Sequence, residues 1–235
     1  MDDLREAGLV KGGDWYSYFW QVVNPAFGVF PDAWVKLQKV YEDMYGRYNF
    51  FETFLPRVGT FLGIGVGFGG LELVLANRGW RGLGIDNNRD ALFLAAQNSA
   101  LLAQNRLMVC YADIYDPAQV PGFFSGKGIT ACVSFGVMEH FKPHEIRHMI
   151  ERQLEIAPRV ICMVPVGTPP TLKFFGANKT GPHIEKKSGI YRVLQPPQWW
   201  DDNVFDGCNV LTAIDSKNPL TGHDMTTWVV EKRSS

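Results

Sequence analysis

Apolar and polar positions follow two different periods along the chain from residue 57 onward. Short apolar runs predict five strands, at residues 58–64, 81–85, 107–112, 129–135 and 159–164. Segments with helical spacing predict three helices between these runs, at residues 70–77, 89–104 and 143–156. Strands that alternate with helices indicate an α/β fold with a mostly parallel sheet that is covered on both faces.

The alternation ends after the fifth predicted strand. Residues 165–197 are rich in prolines, glycines and lysines, and they predict a long irregular insertion that caps a substrate pocket. A short helix at residues 197–203 and two strands at residues 208–214 and 226–231 follow. The loop between these last two strands is too short for a crossover helix. We therefore expect them to be antiparallel neighbours.

The N-terminal part of the chain has a different composition. Residues 1–54 hold 14 of the 31 aromatic residues. From residue 31 onward, apolar side chains at helical spacing share one face and predict a helix that packs on the core: Trp34, Leu37, Tyr41 and Tyr48. The earlier run WYSYFW, at residues 15–20, either packs in the same way or folds over the site as a lid, with Tyr16 and Trp20 against the substrate. The chain thus divides into an aromatic N-terminal segment, residues 1–56, and a domain at residues 57–235.

Composition narrows the class of protein. Hydrophobic residues make up 46% of the chain and charged residues 20%, which is typical of a soluble protein with a sizeable core. The sequence has neither a run of about 18 apolar residues, as a membrane span requires, nor a signal-peptide core. The net charge of −1 is evidence against nucleic acid as the main partner. We expect a cytoplasmic protein without a membrane partner.

Cysteines and histidines give little sign of metal binding. The four cysteines lie singly in predicted strands, which indicates buried, reduced thiols, with a catalytic thiol as the alternative. His140, His144 and His148 are spaced by four residues, a spacing that suggests metal ligands. However, Pro143 starts a helix after the first of them, so the three need not share a face. We therefore expect surface histidines and no metal site.

A run of glycines marks the candidate ligand site. FLGIGVGFGG, at residues 61–70, connects the first predicted strand to the first predicted helix. Glycines permit positive φ angles and close ligand approach, and the following helix presents unpaired N–H groups. Asp86 ends the second predicted strand, beside that turn, where a carboxylate can accept both hydroxyl protons of a ribose. These features predict a nucleotide-type ligand, and the alternative is a tight turn without one.

Further features, in the same order along the chain, define a family resemblance. YADIYD, at residues 111–116, places Asp113 just past the third predicted strand, where it can accept an adenine amino proton. SFGVMEHF, at residues 134–141, takes the fourth predicted strand into a polar pair. With the glycine turn, Asp86 and the two closing strands, these motifs resemble the class I S-adenosylmethionine-dependent methyltransferases over roughly residues 57–231.

The resemblance implies a Rossmann-like, doubly wound, seven-stranded sheet with the last strand inserted antiparallel. It also implies S-adenosyl-L-methionine as the cofactor, bound by residues of the glycine turn and of the loops after the next strands: Gly63, Gly65, Val66, Gly67, Asp86, Asn87, Asp113, Ile114 and Phe135. The family usually carries an acid at the position of Gly63, where it helps to hold the ammonium end of the cofactor. In this chain another group has to take over, or binding is weaker.

The candidate catalytic residues are Glu139 and His140, at the rim where the methyl group should point. His140 can titrate near neutral pH and act as a general base if the acceptor must lose a proton. Alternatively, Glu139 and His140 hold the loop or contact the cofactor. The tetrapeptide NPPY, which marks many methyltransferases that act on nucleobase or amide nitrogen, is absent, and SFGVMEHF stands in its place. This difference and the near-neutral charge favour a small-molecule acceptor, with methylation at oxygen or nitrogen and less readily at carbon.

The predicted insertion offers candidate substrate-binding residues. Residues 168–192 contain five basic side chains and the single acid Glu185, which favours an anionic group, and aromatic rings favour flat or cationic guests. Tyr191 and Arg192 are the residues that we assign to the substrate. The alternative is an exposed, solvated loop.

Two other functions remain open. The spacing Gly65-x-Gly67-x-x-Gly70, with an acid about 20 residues further on, also matches the dinucleotide pattern of an NAD-dependent oxidoreductase. Asp113 and the two closing strands favour the methyltransferase over that alternative. A nucleotide-binding scaffold without turnover is the second alternative, because Gly63 replaces the acid of the family.

Overall fold

The computed structural model describes residues 32–46, 54–103, 105–113, 115, 128–185, 189–218 and 221–233. Its strands are β1 (Thr60–Ile64), β2 (Arg81–Asp86), β3 (Leu107–Tyr111), β4 (Ala131–Phe135), β5 (Arg159–Pro165), β6 (Gly181–Ile184), β7 (Tyr191–Leu194), β8 (Cys208–Lys217) and β9 (Asp224–Lys232). Its α-helices are α1 (Asp32–Gly46), α2 (Gly70–Asn77), α3 (Arg89–Leu102), α4 (Pro143–Ile156), α5 (Pro169–Phe175) and α6 (Pro197–Asn203), and a 3₁₀ turn spans Met138–His140.

Seven strands form one sheet in the order β3-β2-β1-β4-β5-β9-β8. The first five strands along the chain pair in parallel, whereas β9 is antiparallel to both of its neighbours, β5 and β8. This arrangement confirms the predicted Rossmann-like, doubly wound sheet with an antiparallel last strand. The strand order reverses between β1 and β4, so a crevice opens beyond the carboxyl ends of these two strands.

Alternate residues of the central strands feed two hydrophobic cores, one on each face of the sheet. Phe61 of β1 packs on the face that α2 and α3 cover, and Leu62, its neighbour along the strand, packs on the face that α4 and α6 cover. Both side chains are fully buried. Burial of one such side chain stabilises the fold by about 1.5–3 kcal/mol, so β1 is fixed between two apolar layers. A strand held in this way gives the turn after it a rigid base.

The predicted helix at residue 31 onward is present as α1, and it packs on α2. Leu37 and Gln38 of α1 are buried, and Tyr41 lies over the start of α2, where an added Cβ on Gly70 would come within 2.9 Å of the Tyr41 ring. The helix therefore packs on α2, and Tyr41 also packs against the core on that face of the sheet. Tyr16, Trp20 and the predicted lid at residues 15–20 lie outside the described residues, and the division of the chain at residue 56 stays a prediction.

The described residues of the predicted irregular insertion form regular elements, which corrects the prediction for residues 165–197. It consists of α5 and of an antiparallel hairpin formed by β6 and β7. The elements are too short for a periodicity signal: α5 has seven residues and begins with two prolines, and each strand has four residues. Pro182 lies within β6, which a two-stranded edge tolerates. Phe175, Val193 and Leu194 are buried, so the segment is not a solvated loop.

The four cysteines lie in strands, as predicted, and all are free thiols. Cys132 and Cys162 are buried, and burial raises the pKa of both thiols, that of Cys162 to about 12. Cys110 and Cys208 are only half-buried. The two buried thiols are thus protonated at neutral pH. No helix in the described part of the chain is long and apolar enough to cross a membrane.

Candidate active site

The glycine turn between β1 and α2 lies at the crevice where the strand order reverses. Gly65, Gly67 and Gly69 have positive φ angles of 63°, 53° and 82°, which side chains rarely adopt. An added Cβ on Gly65 would come within 2.7 Å of Val137, whereas an added Cβ on Gly67 would meet no described atom within 4 Å. The turn therefore presents bare backbone and open space at Gly67. The approach of Val137 is a contact that sequence reasoning missed.

Asp86 fixes this turn to the end of β2. Its Oδ2 accepts the N–H of Gly67 at 2.9 Å, and its Oδ1 accepts the N–H of Asn88 at 2.8 Å. Burial raises the pKa of the Asp86 carboxyl, and these N–H donors only partly offset the increase. The N–H of Asn87 is a third backbone donor to this carboxylate, and since its two oxygens together accept about four hydrogen bonds, one acceptor position remains for a ligand.

Val66 offers its backbone and not its side chain to the crevice. Its N–H donates to the carbonyl of Ile85 at 3.0 Å, and an added Cβ on Gly84 would come within 2.6 Å of the buried Val66 side chain. Gly63, three residues earlier in β1, faces the carboxyl group of Glu72, which the sequence analysis did not single out. Glu72 could have been recognised from the sequence, because it is the one acid within the apolar run GLELVLAN. Residues 70–76 of this run are all buried.

The residues predicted to surround an adenine lie at the same edge of the sheet. Asp113 follows β3, whose last residue pairs in register with Asp86. Its Oδ1 accepts the N–H of Tyr115 at 3.0 Å. Asn87 is exposed after β2, and its neighbour Asn88 caps α3. Ile114 lies outside the described residues. Two carboxylates thus end neighbouring strands beside the glycine turn.

The segment after β4 carries the predicted catalytic pair. Phe135 ends the strand, half-buried against the core on the α2 face, and Gly136 turns the chain with a φ of 69°. Glu139 and His140 then lie in the 3₁₀ turn. Pro143 begins α4, and the carboxylate of Glu145 accepts the N–H of Lys142 at 2.7 Å. Both ends of the segment that carries the predicted catalytic pair are therefore anchored.

Glu139, His140, Glu185 and Arg192 form a cluster of charged side chains, here called the Glu139 cluster. Arg192 Nη1 donates to Glu139 Oε1 at 3.2 Å, and Arg192 Nε lies 3.5 Å from Glu185 Oε2. Glu139 is 1% exposed, Arg192 4% and Glu185 6%. The structure thus brings Arg192, which the sequence analysis assigned to the substrate, against the predicted catalytic pair Glu139 and His140, although 52 positions separate His140 from Arg192.

The contacts of His140 fix its protonation on one side of the ring. Its Nδ1 lies 2.8 Å from the carbonyl oxygen of Tyr191, which can only accept, so Nδ1 carries a proton. Its Nε2 lies 3.3 Å from Arg192 Nη1 and 3.4 Å from Glu139 Oε1. A neutral ring accepts from Arg192 there, and a protonated ring donates to Glu139. In either state Nε2 is engaged within the cluster.

The carboxyl group of Glu139 is held ionised despite its burial. Burial alone raises its pKa, but His140 and then Arg192 lower it by more, and the net pKa is below the usual value. Its Oε2 atom is buried and has no hydrogen-bond partner among the described residues. A charged acceptor atom of this kind can hold a polar group of a ligand.

The insertion closes over this cluster through aromatic contacts. The guanidinium of Arg192 lies 4.4 Å from the centre of the Phe175 ring, and His223, from the loop before β9, stacks on Phe174 with ring centres 5.0 Å apart. Burial, and then Arg192, lower the pKa of His223 to about 4, so its ring is neutral at physiological pH. The charge of Arg192 is matched by two carboxylates, which weakens the predicted preference for an anion at this residue.

Histidines on α4 lie apart from the cluster. His144 and His148 are both exposed, as predicted. Within the described ranges, no group of three or more His, Cys, Asp or Glu side chains is placed to hold a metal ion.

Comparison by sequence gives no relatives, since no protein-family model and no curated protein matches the chain. Solved structures match its fold. The chain has the fold of the class I methyltransferases. An S-adenosylmethionine-dependent methyltransferase from Methanosarcina mazei aligns with 80% of this chain and 99% of its own, with a TM-score of 0.64 and 14% identity.

Two further structures show the same fold. Magnesium protoporphyrin IX methyltransferase from Synechocystis PCC 6803, with S-adenosylhomocysteine bound, aligns with 99% of this chain and 99% of its own, with a TM-score of 0.61 and 17% identity. A glycopeptide N-methyltransferase complexed with S-adenosylhomocysteine covers 81% of this chain and 90% of its own, with a TM-score of 0.60 and 14% identity. The fold that the sequence motifs implied is confirmed.

Proposed function

We propose that this chain is an S-adenosylmethionine-dependent methyltransferase that acts on the oxygen or nitrogen of a small molecule. The observation that carries the proposal is the position of Asp86, whose carboxylate ends β2 and is hydrogen-bonded to the glycine turn at Gly67. A nucleoside bound in the crevice would have the Asp86 carboxylate beside its ribose hydroxyls and the bare backbone of the glycine turn next to it.

The residues present fit this cofactor. Asp86 keeps an acceptor position for a ribose hydroxyl beside its three backbone donors. The open space over Gly67 suits the methionine part, and the backbone of Gly65 and Val66 borders it. Asp113, at the end of the neighbouring strand, suits an adenine amino group. Asn87, Ile114 and Phe135 remain predicted cofactor contacts.

When bound, S-adenosylmethionine supplies a methyl group that is already activated on a sulfonium. The chain therefore has to align the acceptor and exclude water, rather than activate the methyl group. In this proposal Glu139 Oε2 and the cap of α5, β6 and β7 position the acceptor. Tyr191 stays a predicted substrate contact.

We retain His140 as the proposed base for a hydroxyl acceptor, with a condition that the geometry sets. Its Nδ1 proton is fixed on the Tyr191 carbonyl, so a second proton has to enter at Nε2. That step requires Arg192 Nη1 to release Nε2, and Glu139 Oε1, 3.4 Å away, then stabilises the imidazolium. For a neutral amine acceptor no base is needed, and the pair only positions the substrate.

The alternatives fit less well. Dinucleotide-binding sheets of the Rossmann type have six parallel strands, whereas this sheet ends with the antiparallel pair β9 and β8. A scaffold without turnover would not need the Glu139 cluster at the cofactor edge. Since the acceptors named for the neighbours are a porphyrin and a glycopeptide, the fold does not select the acceptor.

A thermal-shift panel with S-adenosylmethionine, S-adenosylhomocysteine, NAD and NADP tests the proposal. A ligand at 100 times its Kd stabilises the folded state by about 2.7 kcal/mol. For a chain of this length that corresponds to a rise in Tm of about 5–10 °C. We expect this rise with the first two ligands only. A rise with NAD or NADP alone would contradict the proposal, and so would no rise with any of the four.

A further inference from the structure

Glu72 is a buried acid that no step above uses. It lies in the first turn of α2, is 3% exposed, and is the one charged residue in a helix whose residues 70–76 are all buried. Its side chain extends towards β1. An added Cβ on Gly63 would lie 3.0 Å from Glu72 Cγ and 3.4 Å from Oε1. The bare backbone of Gly63 thus makes the room that the Glu72 carboxyl group occupies, two residues before the glycine turn.

None of the ion pairs formed among the described residues includes Glu72. The titratable groups that face it are Asp86 of β2 and Tyr41 of α1. Burial raises the pKa of Glu72 to about 8, with Asp86 adding to the rise and the N–H groups of Glu72 and Leu71 opposing it. Burial, and then Glu72, raise the pKa of Tyr41. The ligand-free site therefore holds a carboxyl group that is mostly protonated at neutral pH.

A buried carboxylate needs a cation or it takes up a proton. The cofactor proposed above carries a cationic ammonium group on its methionine part, which belongs beside the glycine turn. We propose that Glu72 holds that ammonium group, in place of the acid that the resembling family carries at the position of Gly63. The acid has moved from the strand to the following helix, and its carboxyl group reaches the same place from the opposite side. This inference rests on the proposed function.

The pairing has a consequence for protons. When the ammonium group binds, the carboxyl group of Glu72 gives up its proton to the solvent and becomes the carboxylate of an ion pair. Binding therefore releases a proton at pH values below the pKa of about 8 of the ligand-free group. The contribution of Glu72 to cofactor affinity therefore increases as the pH rises to that value.

Calorimetric titration with two ligands isolates this contact. S-Adenosylhomocysteine carries the ammonium group, and 5′-methylthioadenosine shares the adenosine and the sulfur but lacks the amino-acid part. We expect Glu72→Gln, which keeps the shape of the side chain, to weaken S-adenosylhomocysteine at least tenfold and 5′-methylthioadenosine less than threefold. Glu151→Gln, at an exposed position of α4, is the control for loss of a charge and should change neither affinity.

A swap variant tests the position of the acid. Gly63 has no positive φ angle, so a side chain is compatible with its backbone. In the double variant Gly63→Asp with Glu72→Ala, the removed Cγ leaves room for the new Cβ, and we expect the affinity to return to within threefold of wild type. Gly63→Asp alone should weaken binding, because the new side chain meets Glu72 at 3.0 Å.

Proton release gives an independent readout. Titrations at pH 7 in buffers of different ionisation enthalpy should show less proton release for Glu72→Gln than for wild type, and the cofactor's own titration cancels in that difference. If wild type binds S-adenosylhomocysteine and folded Glu72→Gln binds it equally well with equal proton release, the role of Glu72 is wrong and the proposed function stands. If wild type does not bind it, the proposed function itself fails.

Discussion

Arg192 lies between the two buried carboxylates of the Glu139 cluster and contacts both, so its replacement tests how the site is held together. Arg192→Met keeps much of the apolar stem that packs on Phe175 but removes the guanidinium. Glu139 Oε1 then loses a donor at 3.2 Å, and Glu185 loses its ion pair at 3.5 Å. Removal of one partner from a buried ion pair costs about 3–5 kcal/mol, because the other charge stays buried. His140 remains beside Glu139, so we expect the lower half of that range.

The assay is urea unfolding of wild type and of Arg192→Met at pH 7 and pH 4.5. In wild type the lowered pKa of Glu139 stabilises the folded state above the usual carboxyl pKa, and this stabilisation is lost as the pH falls through the lowered pKa. In the variant only His140 still lowers the Glu139 pKa, so the variant keeps less of this stabilisation above the usual carboxyl pKa. The gap between the two proteins should therefore be wider at pH 7 than at pH 4.5.

Two controls sharpen this test. Lys173→Met removes an exposed cation from α5, in the same insertion, and should change the free energy of unfolding by less than about 0.5 kcal/mol. Adding Glu139→Gln to Arg192→Met removes the stranded charge and should recover about 1–3 kcal/mol. A loss of less than about 1 kcal/mol for Arg192→Met at pH 7, or a gap that does not change with pH, would refute the reasoning.

Three further substitutions have defined outcomes. Asp86→Asn removes the charge that the ribose hydroxyls would contact. The binding free energy of S-adenosylhomocysteine should fall by about 1.5–3 kcal/mol, which is at least tenfold in affinity. Unchanged calorimetric affinity in a folded variant would contradict the ribose contact. His140→Ala should lower single-turnover methyl transfer to a hydroxyl acceptor by about 10²–10⁴, and a rate within threefold of wild type would eliminate it as the base. Glu72→Gln should flatten the pH dependence of ligand-free stability. Because the Glu72 pKa is raised, wild type loses stability as the pH rises from about 4.5 to about 8, by at most about 1.4 kcal/mol per pH unit. If the urea midpoints of wild type and variant change equally between pH 5 and pH 8, this prediction is wrong.

The central sheet was readable from the sequence because its elements carry strong local signals. The helices α2, α4 and α6 begin and end at the predicted residues, and proline in the first turn or glycine after the last turn marks these boundaries. The antiparallel pair of β8 and β9 followed from the length of one loop. By contrast, α5, β6 and β7 are shorter than the window in which periodicity can be recognised, and they are stabilised by tertiary burial of Phe175 and Leu194.

The sequence singles out candidate site residues, but it does not show their contacts. Glu139, His140 and Arg192 each stood out by type and position, but only the fold brings a side chain of β7 against the 3₁₀ turn after β4. The sequence analysis missed Glu72 because one charged residue within an apolar helix does not change the hydrophobic pattern of that helix. The space at Gly63 that receives its carboxyl group exists only when β1 and α2 are packed together.

A crystal structure of the chain with S-adenosylhomocysteine is the most direct test of the proposed site. We expect the ribose hydroxyls at hydrogen-bond distance, about 2.5–3.0 Å, from the Asp86 carboxylate, with the amino-acid part along Gly65–Gly67 and the sulfur towards Glu139 and His140. A nucleoside bound elsewhere, or a ribose that makes no contact with Asp86, would contradict the assignment of this edge of the sheet as the cofactor site.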